Sequence, residues 1–301
     1  MMFYHIKQVT HRTFTVQSHI SSKVMSKRPI SMLIMGTDVG ALNRGNTGGN
    51  TDTLELVTAN PSKRTITLTS IPRDTLVKMN SPKASAKYAK INSAYQVGGA
   101  HQTVNQVKEL LNVPIDYYAV VNMGVLKKVV DCVHGVNVNN PFAFTYEGHY
   151  FKQGKQHLNG ELALKYSRMR YDDPNNDYGR QKRQQQIIIS IIDQFKHHAS
   201  VKAVNSIVKA VGDGVITNVP INDIEPLYDN YHAAMKTIRT DHLQGEDANV
   251  NNISYQIINV KELRRVSGNL RKSLDLPQEK LINNETDLYQ EKDDLTDLMN
   301  N

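Results

Sequence analysis

A chain of 301 residues with 39% hydrophobic and 22% charged side chains is long enough to bury a sizeable core, and its mixture is that of an ordinary folded protein rather than a fibrous or disordered one. The net charge is +7, but residues Pro277 to Asn301 carry seven acidic residues against two lysines, leaving +12 on the remainder. That basic body fits anionic partners such as phosphates, an anionic polymer, a membrane surface or nucleic acid, and the single cysteine, Cys132, excludes an internal disulfide.

Met1 to Pro29 holds five lysines or arginines and no acidic residue. It contains no run of about 20 apolar residues that could span a bilayer, and no signal-peptide core. Ile30 to Thr37 (ISMLIMGT) reads as a short strand ending at Asp38. A glycine-rich loop, Val39 to Thr51, leads to Asp52 and a second strand, Thr53 to Asn60. The turn Asn60-Pro61-Ser62-Lys63 suits a tight reversal, and Arg64 to Ile71 returns as a third strand before Pro72-Arg73-Asp74. A hairpin of strands two and three brings Asp52 and Arg73 to one sheet edge, and a reversal in the glycine loop adds Asp38. Two carboxylates and an arginine there suit a divalent cation and a phosphate. The glycine loop is not a P-loop, since no Gly-Lys-Ser/Thr follows it; it reads as a flap joining two ligand-bearing strands.

Further along, Ala100 to Leu111 is a helix, Ile115 to Val121 a strand, Met123 to Val133 a helix and Gly135 to Val138 a short strand. Cys132 falls among Val129, Val130 and Val133 as a small buried hydrophobe. His134 reads as a turn residue, because no second histidine stands at metal-ligand spacing. Asn159 to Tyr166 is a short helix leading to Arg168 and Arg170, two apart and on one face of an extended segment. From Asn176 a longer helix opens, on which Arg180, Arg183, Gln184, Ile187, Ile188, Ile191 and Phe195 form one stripe, cationic first and apolar after. An amphiphile with an anionic head and a hydrocarbon tail matches that stripe; a plain core face matches its apolar half equally well.

The strings GTD, NTDT, SIPRDT, KINSAY, the Arg168/Arg170 pair and DYGRQKRQQ, in this order between about Ile30 and Phe195, resemble the LytR–CpsA–Psr family. The resemblance implies an extracytoplasmic, membrane-anchored phosphotransferase of Gram-positive bacteria. Such enzymes move a glycopolymer, for example a teichoic acid, from a polyprenyl pyrophosphate carrier to peptidoglycan. It implies magnesium or manganese held by Asp38 and Asp52, and a pyrophosphate bound by Arg73, Lys90, Arg170, Arg180, Arg183 and Gln184. Catalysis would rest on Asp52, Arg73, Arg168, Arg170 and Arg180, with the prenyl chain along Ile187, Ile188, Ile191 and Phe195. The partners implied are the lipid-linked glycopolymer, peptidoglycan and the membrane surface. No anchor is present in Met1 to Pro29, and a truncated or misassigned start is expected, since the catalytic strings are complete.

Beyond Phe195 the resemblance fades. Val201 to Val211 and Ile224 to Ile238 read as amphipathic helices, Ser254 to Val260 as a strand and Lys261 to Leu274 as a final helix. The polar, acidic stretch Leu276 to Asn301 reads as disordered. The expected architecture is α/β, a mixed central β-sheet flanked by helices with a helical C-terminal portion. It divides into a basic segment 1–29, a catalytic domain 30–200, an extension 201–275 and an acidic tail 276–301. Two rivals share the charge pattern. One is a hydrolase or binding protein for the same lipid pyrophosphate. The other is a DNA-binding regulator, which the carboxylates beside the arginines disfavour, so no nucleic-acid partner is expected.

Overall fold

The computed structural model describes residues 21–37, 49–198, 207–209, 211 and 214–290. Its centre is a six-stranded sheet. The strands are β1 (Ile30–Thr37), β2 (Thr51–Asn60), β3 (Thr65–Ser70), β4 (Tyr117–Asn122), β5 (Val215–Thr217) and β6 (Thr237–His242), in the spatial order β5-β4-β1-β2-β3-β6. β1 is antiparallel to β2 and parallel to β4, β2–β3 is the expected hairpin, and β6 runs parallel to β3. The hairpin closes through the Lys63 amide donating to Asn60 Oδ1 at 3.0 Å and the Arg64 amide donating to the Pro61 carbonyl.

The alternation of β1 and β2 sends Leu33, Met35, Leu54 and Leu56 into one core. That core is closed by α1 (Ala94–Leu111), through Val104, Val107, Leu110 and Leu111, and by the helix Val260–Ser273, through Leu263, Val266 and Leu270. α2 (Met123–Cys132), α3 (Gly160–Arg168) and α4 (Asn176–His198) lie on the other side. There Ile187 joins Val130, Tyr166 and Phe151 in one cluster, while Ile188, Ile189 and Ile192 pack on Ile66 and Leu68 of β3. α2 and α3 each begin on an asparagine cap: Asn122 Oδ1 accepts from the Val125 amide and Asn159 Oδ1 from the Leu162 amide.

Three expectations are corrected. Ile224 to Ile238 is not one helix: the helix ends at Tyr231, a 3₁₀ turn covers His232–Lys236, and Thr237 onward pairs with β3 as β6. A free sheet edge offers the β-branched residues Thr237, Ile238 and Thr240 a ladder that outweighs the helical period. Residue 200 is therefore no boundary of a separate extension, since β5 and β6 complete the central sheet. Nor is the start of the acidic tail loose. Leu281 and Leu288 join the main core, and Asn284–Gln290 is a helix. Its Glu285 is buried against the Lys78 amide and Gln106. Cys132 is half-buried and His134 occupies a turn at positive φ. Most of Val201 to Val211, together with residues 291–301, lies outside the described residues. Among the described residues no helix is long and apolar enough to cross a membrane.

Candidate active site

The hairpin places Asp52, at the start of β2, and Arg73, three residues past β3, on one edge, where they form an ion pair. Asp74 holds Arg73 from the other side at 3.7 Å and is itself bound by Lys90 at 2.8 Å. Lys90 also lies over the Tyr255 ring and does not line the cleft. It acts on Arg73 through Asp74, so its expected direct contact with a phosphate is replaced by a supporting one.

Arg180, in the first turns of α4, reaches across to the same edge. Its Nη2 donates to the Asp52 carbonyl at 3.1 Å and pairs with Asp177 at 2.6 Å, and Asp177 also faces Arg170 at 3.7 Å. Arg168, the last residue of α3, pairs with Glu147 at 2.6 Å. Arg73, Arg168, Arg170 and Arg180 thus converge from three chain segments on one cleft of about 290 Å³. The extended segment expected for Arg168 and Arg170 is in fact a helix end, and the two still meet at the cleft. Burial draws the Arg180 guanidinium below its ordinary pKa; Asp177 opposes this, while Arg73 and Arg170 reinforce it. For Arg73 burial acts downward too, but Asp52, Asp74 and Asp177 together hold its pKa above the ordinary value. The Nε atoms of both arginines are buried without a hydrogen-bond partner among the described residues. Like charges gathered with unpartnered donors are chemically suited to an anion.

Behind the arginines the cleft turns apolar, walled by Ile34, Val121, Leu126, Leu164, Ile187 and Ile188. Gln184 also lines it, near the Ser167 carbonyl. Ile191 and Phe195 do not line it: Ile191 packs on the α2–α3 core, and Phe195 is half-buried further along α4. The isoleucine stripe is therefore core for most of its length and reaches the cleft only at its first turn. Leu126, Leu164 and Tyr146 supply the remaining wall, and the sequence reading missed them. The signal available was the apolar faces of α2 and α3, which could not be told from core.

Arg183 is not a cleft residue. It is buried to 1% exposure, paired with Asp173, and donates to the carbonyls of Tyr166 and Met169. It also lies over the Phe144 ring at 5.5 Å. One turn of helix separates it from Arg180 but turns it to the interior. Gly179 is part of that arrangement: a Cβ there would stand 2.0 Å from Asp173 Oδ2. Asp38 lies outside the described residues; it follows Thr37, which pairs with Thr51. Among the described residues no three His, Cys, Asp or Glu side chains come together as a metal cage.

The profile of the LytR_cpsA_psr family matches residues 3–272. The chain belongs to this family. Among members, an Enterococcus faecalis protein named polyisoprenyl-teichoic acid–peptidoglycan teichoic acid transferase TagU is 36% identical over 91% of this chain and 90% of its own length. A solved structure of protein gbs0355 from Streptococcus agalactiae superposes with a TM-score of 0.83 at 35% identity, covering 91% of this chain and 97% of that one. Another, described as TagT bound to LIIa-WTA, gives a TM-score of 0.70 at 25% identity, covering 86% and 95% of the two chains.

Proposed function

We propose that this protein transfers a teichoic-acid-type glycopolymer from a polyprenyl pyrophosphate carrier to peptidoglycan, at the extracytoplasmic face of the membrane. The observation that carries this reading is the cleft itself, with four arginines at its mouth and an aliphatic wall behind them. A pyrophosphate matches the first and a prenyl chain the second; the names borne by the relatives agree. The acceptor hydroxyl attacks the phosphorus that carries the polymer. The bond from that phosphorus to the bridging oxygen breaks, and prenyl monophosphate leaves with the electron pair. The polymer ends as a phosphodiester on the glycan.

Arg73, Arg170 and Arg180 hold the pyrophosphate oxygens and neutralise the charge that builds on the leaving phosphate, and Arg168 and Gln184 fix the donor beside them. Asp52, at the cleft edge, takes the proton of the incoming hydroxyl, and its ion pair with Arg73 holds it in place. The donor set also suits magnesium or manganese: such ions bind through one or two carboxylates plus substrate phosphates rather than in all-protein cages. Asp52, with Asp38, would hold it, and its chemistry there is neutralisation of the pyrophosphate charge.

The test supplies purified protein with a synthetic prenyl-pyrophosphate-linked precursor and a peptidoglycan oligosaccharide. Mass spectrometry should find the phosphodiester and released prenyl monophosphate, both lost in EDTA or in Asp52→Ala. Equal release of prenyl monophosphate with water alone would make the protein a hydrolase, and full activity in EDTA would remove the metal.

A further inference from the structure

On the far side of α4 from the arginine cleft lies a second cavity, of about 330 Å³. Arg180 and Gln184 line the first and Gln181 and Gln185 the second, so one helix turn is the partition between them. The second cavity is closed by Ser70 at the end of β3, three residues before Arg73, and by Thr240, Asp241 and His242 of β6. It therefore opens at the same end of the parallel pair β3–β6 that delivers Arg73. The two spaces are separated by about one helix width, roughly 10 Å.

The chemistry of the second cavity differs from that of the first. No arginine lines it. Its one carboxylate, Asp241, is already bound by Arg265 at 2.9 Å and by Asn269 at 3.1 Å. Lys182, an exposed residue, brings one cation to the lining, and the rest is a set of neutral hydrogen-bonding groups beside a corner of two rings, Tyr178 and His242, 5.7 Å apart and edge to face. The amides are held in place. Gln185 Nε2 lies within 3.1 Å of Glu55 Oε1, Ser70 Oγ and the Asp241 carbonyl. Gln181 donates to Asp177 at 3.0 Å, while its own carbonyl oxygen is buried without a hydrogen-bond partner in a residue only 7% exposed. A buried acceptor without a donor is destabilising, and a ligand hydroxyl or amide would relieve it. Fixed amides next to a ring corner, with a single lysine in place of the four arginines of the first cleft, suit a polyhydroxylated ligand better than a pyrophosphate.

We propose that this cavity is a saccharide subsite that receives the glycan acceptor and leads its reactive hydroxyl over the first turn of α4 to the phosphate. The inference rests on the transfer reaction proposed above. That reaction needs two large substrates to meet at one phosphorus, and the arginine cleft with its aliphatic wall is taken up by the donor. The sugars of the donor polymer share the same chemistry and are the competing source of the saccharide.

The probe is a chitin tetrasaccharide, titrated by calorimetry against the intact protein. The blocking variant is Thr240→Trp, placed at the exposed rim on β6 and outside the arginine cleft. The tetrasaccharide should bind the unmodified protein, should not be displaced by prenyl pyrophosphate, and should bind Thr240→Trp at least roughly tenfold more weakly, the loss of one or two hydrogen bonds. In the transfer assay the variant should raise KM for the glycan acceptor while KM for the donor stays put. Unchanged tetrasaccharide affinity in Thr240→Trp, or displacement by prenyl pyrophosphate from the unmodified protein, overturns the subsite. A raised donor KM with an unchanged acceptor KM assigns the cavity to the donor's sugars and overturns the acceptor role. If the unmodified protein binds the tetrasaccharide in this way yet transfers nothing, the transfer reading fails and the saccharide site stands. Should Thr240→Trp not fold, the displacement titration on the unmodified protein still decides.

Discussion

Arg180 and Arg183 stand three residues apart on α4, and their replacement should have opposite consequences. Arg183→Met removes a guanidinium of 1% exposure whose partner, Asp173, is equally hidden at 2%. The carboxylate would be left in the interior without its counter-charge, and breaking such a buried pair costs about 3–5 kcal/mol. At roughly 2–4 °C per kcal/mol for a chain of this size class, melting should fall by about 6–20 °C. Gly179→Ala should act in the same direction, because its methyl would displace Asp173. Arg180→Met instead removes one of several like charges that burial already disfavours, so the fold should lose little and transfer should be abolished. Thermal melts and urea titrations measure the first effect, and the transfer assay, normalised to folded protein, measures the second. An Arg183→Met protein that melts like the parent yet transfers nothing would refute this reasoning and return Arg183 to the phosphate.

Glu55 is buried on β2 beside Ser70 and Gln185, and burial pushes its carboxyl up to about 7 despite those two hydrogen bonds. The folded state therefore holds this proton more tightly than the unfolded chain, whose carboxyl titrates near 4.5. The associated stability is full below the unfolded value and is lost as pH rises through about 7, a fall of about 3 kcal/mol at 1.36 kcal/mol per unit. Glu55→Gln should remove that dependence, and urea midpoints that shift in parallel with the parent between pH 5 and pH 8 would contradict it. Arg73→Lys keeps the charge but loses the planar fork, so kcat/KM for transfer should drop by part of the 2–4 kcal/mol (about) attached to such a donor; a variant equal to the parent would reduce Arg73 to a diffuse field. Ile188→Trp fills the apolar end of the cleft. It should weaken long prenyl phosphates while sparing short analogues, with about 1–3 kcal/mol of strain, and an unaltered chain-length dependence would place the lipid elsewhere.

The sequence was most readable where local chemistry and topology coincide. Asn60-Pro61 sets the hairpin turn, two-residue alternation sets its arms, and together these fix the Asp52–Arg73 pairing without any knowledge of the rest. Helical spacing placed Arg180 and Arg183 on one stripe because they are one turn apart, yet the interior begins between them. What separates them is Asp173, which the stripe does not contain. The same limit hid β6: Thr237 to His242 becomes a strand only because β3 presents an unpaired edge, a fact held by residues 172 positions earlier. The roles of Asp177 and Asp74, which set the charge of Arg180 and Arg73, were equally invisible, since each acts through a neighbour rather than on a ligand.

The arms of the Asp52–Arg73 pair are 21 residues apart, whereas the bond from Arg180 to the Asp52 carbonyl closes a loop of 128 residues. Short loops close at smaller entropic cost than long ones. During synthesis the hairpin edge is therefore available well before α4 exists to dock on it. One edge of the arginine cleft is laid down early, and Arg180, which reaches across to it, arrives only when the chain beyond residue 180 has been made and packed. A nascent or N-terminally folded intermediate thus carries a carboxylate–arginine pair that is neutral and inert. The full arginine cleft is assembled only in the late, long-range step of folding.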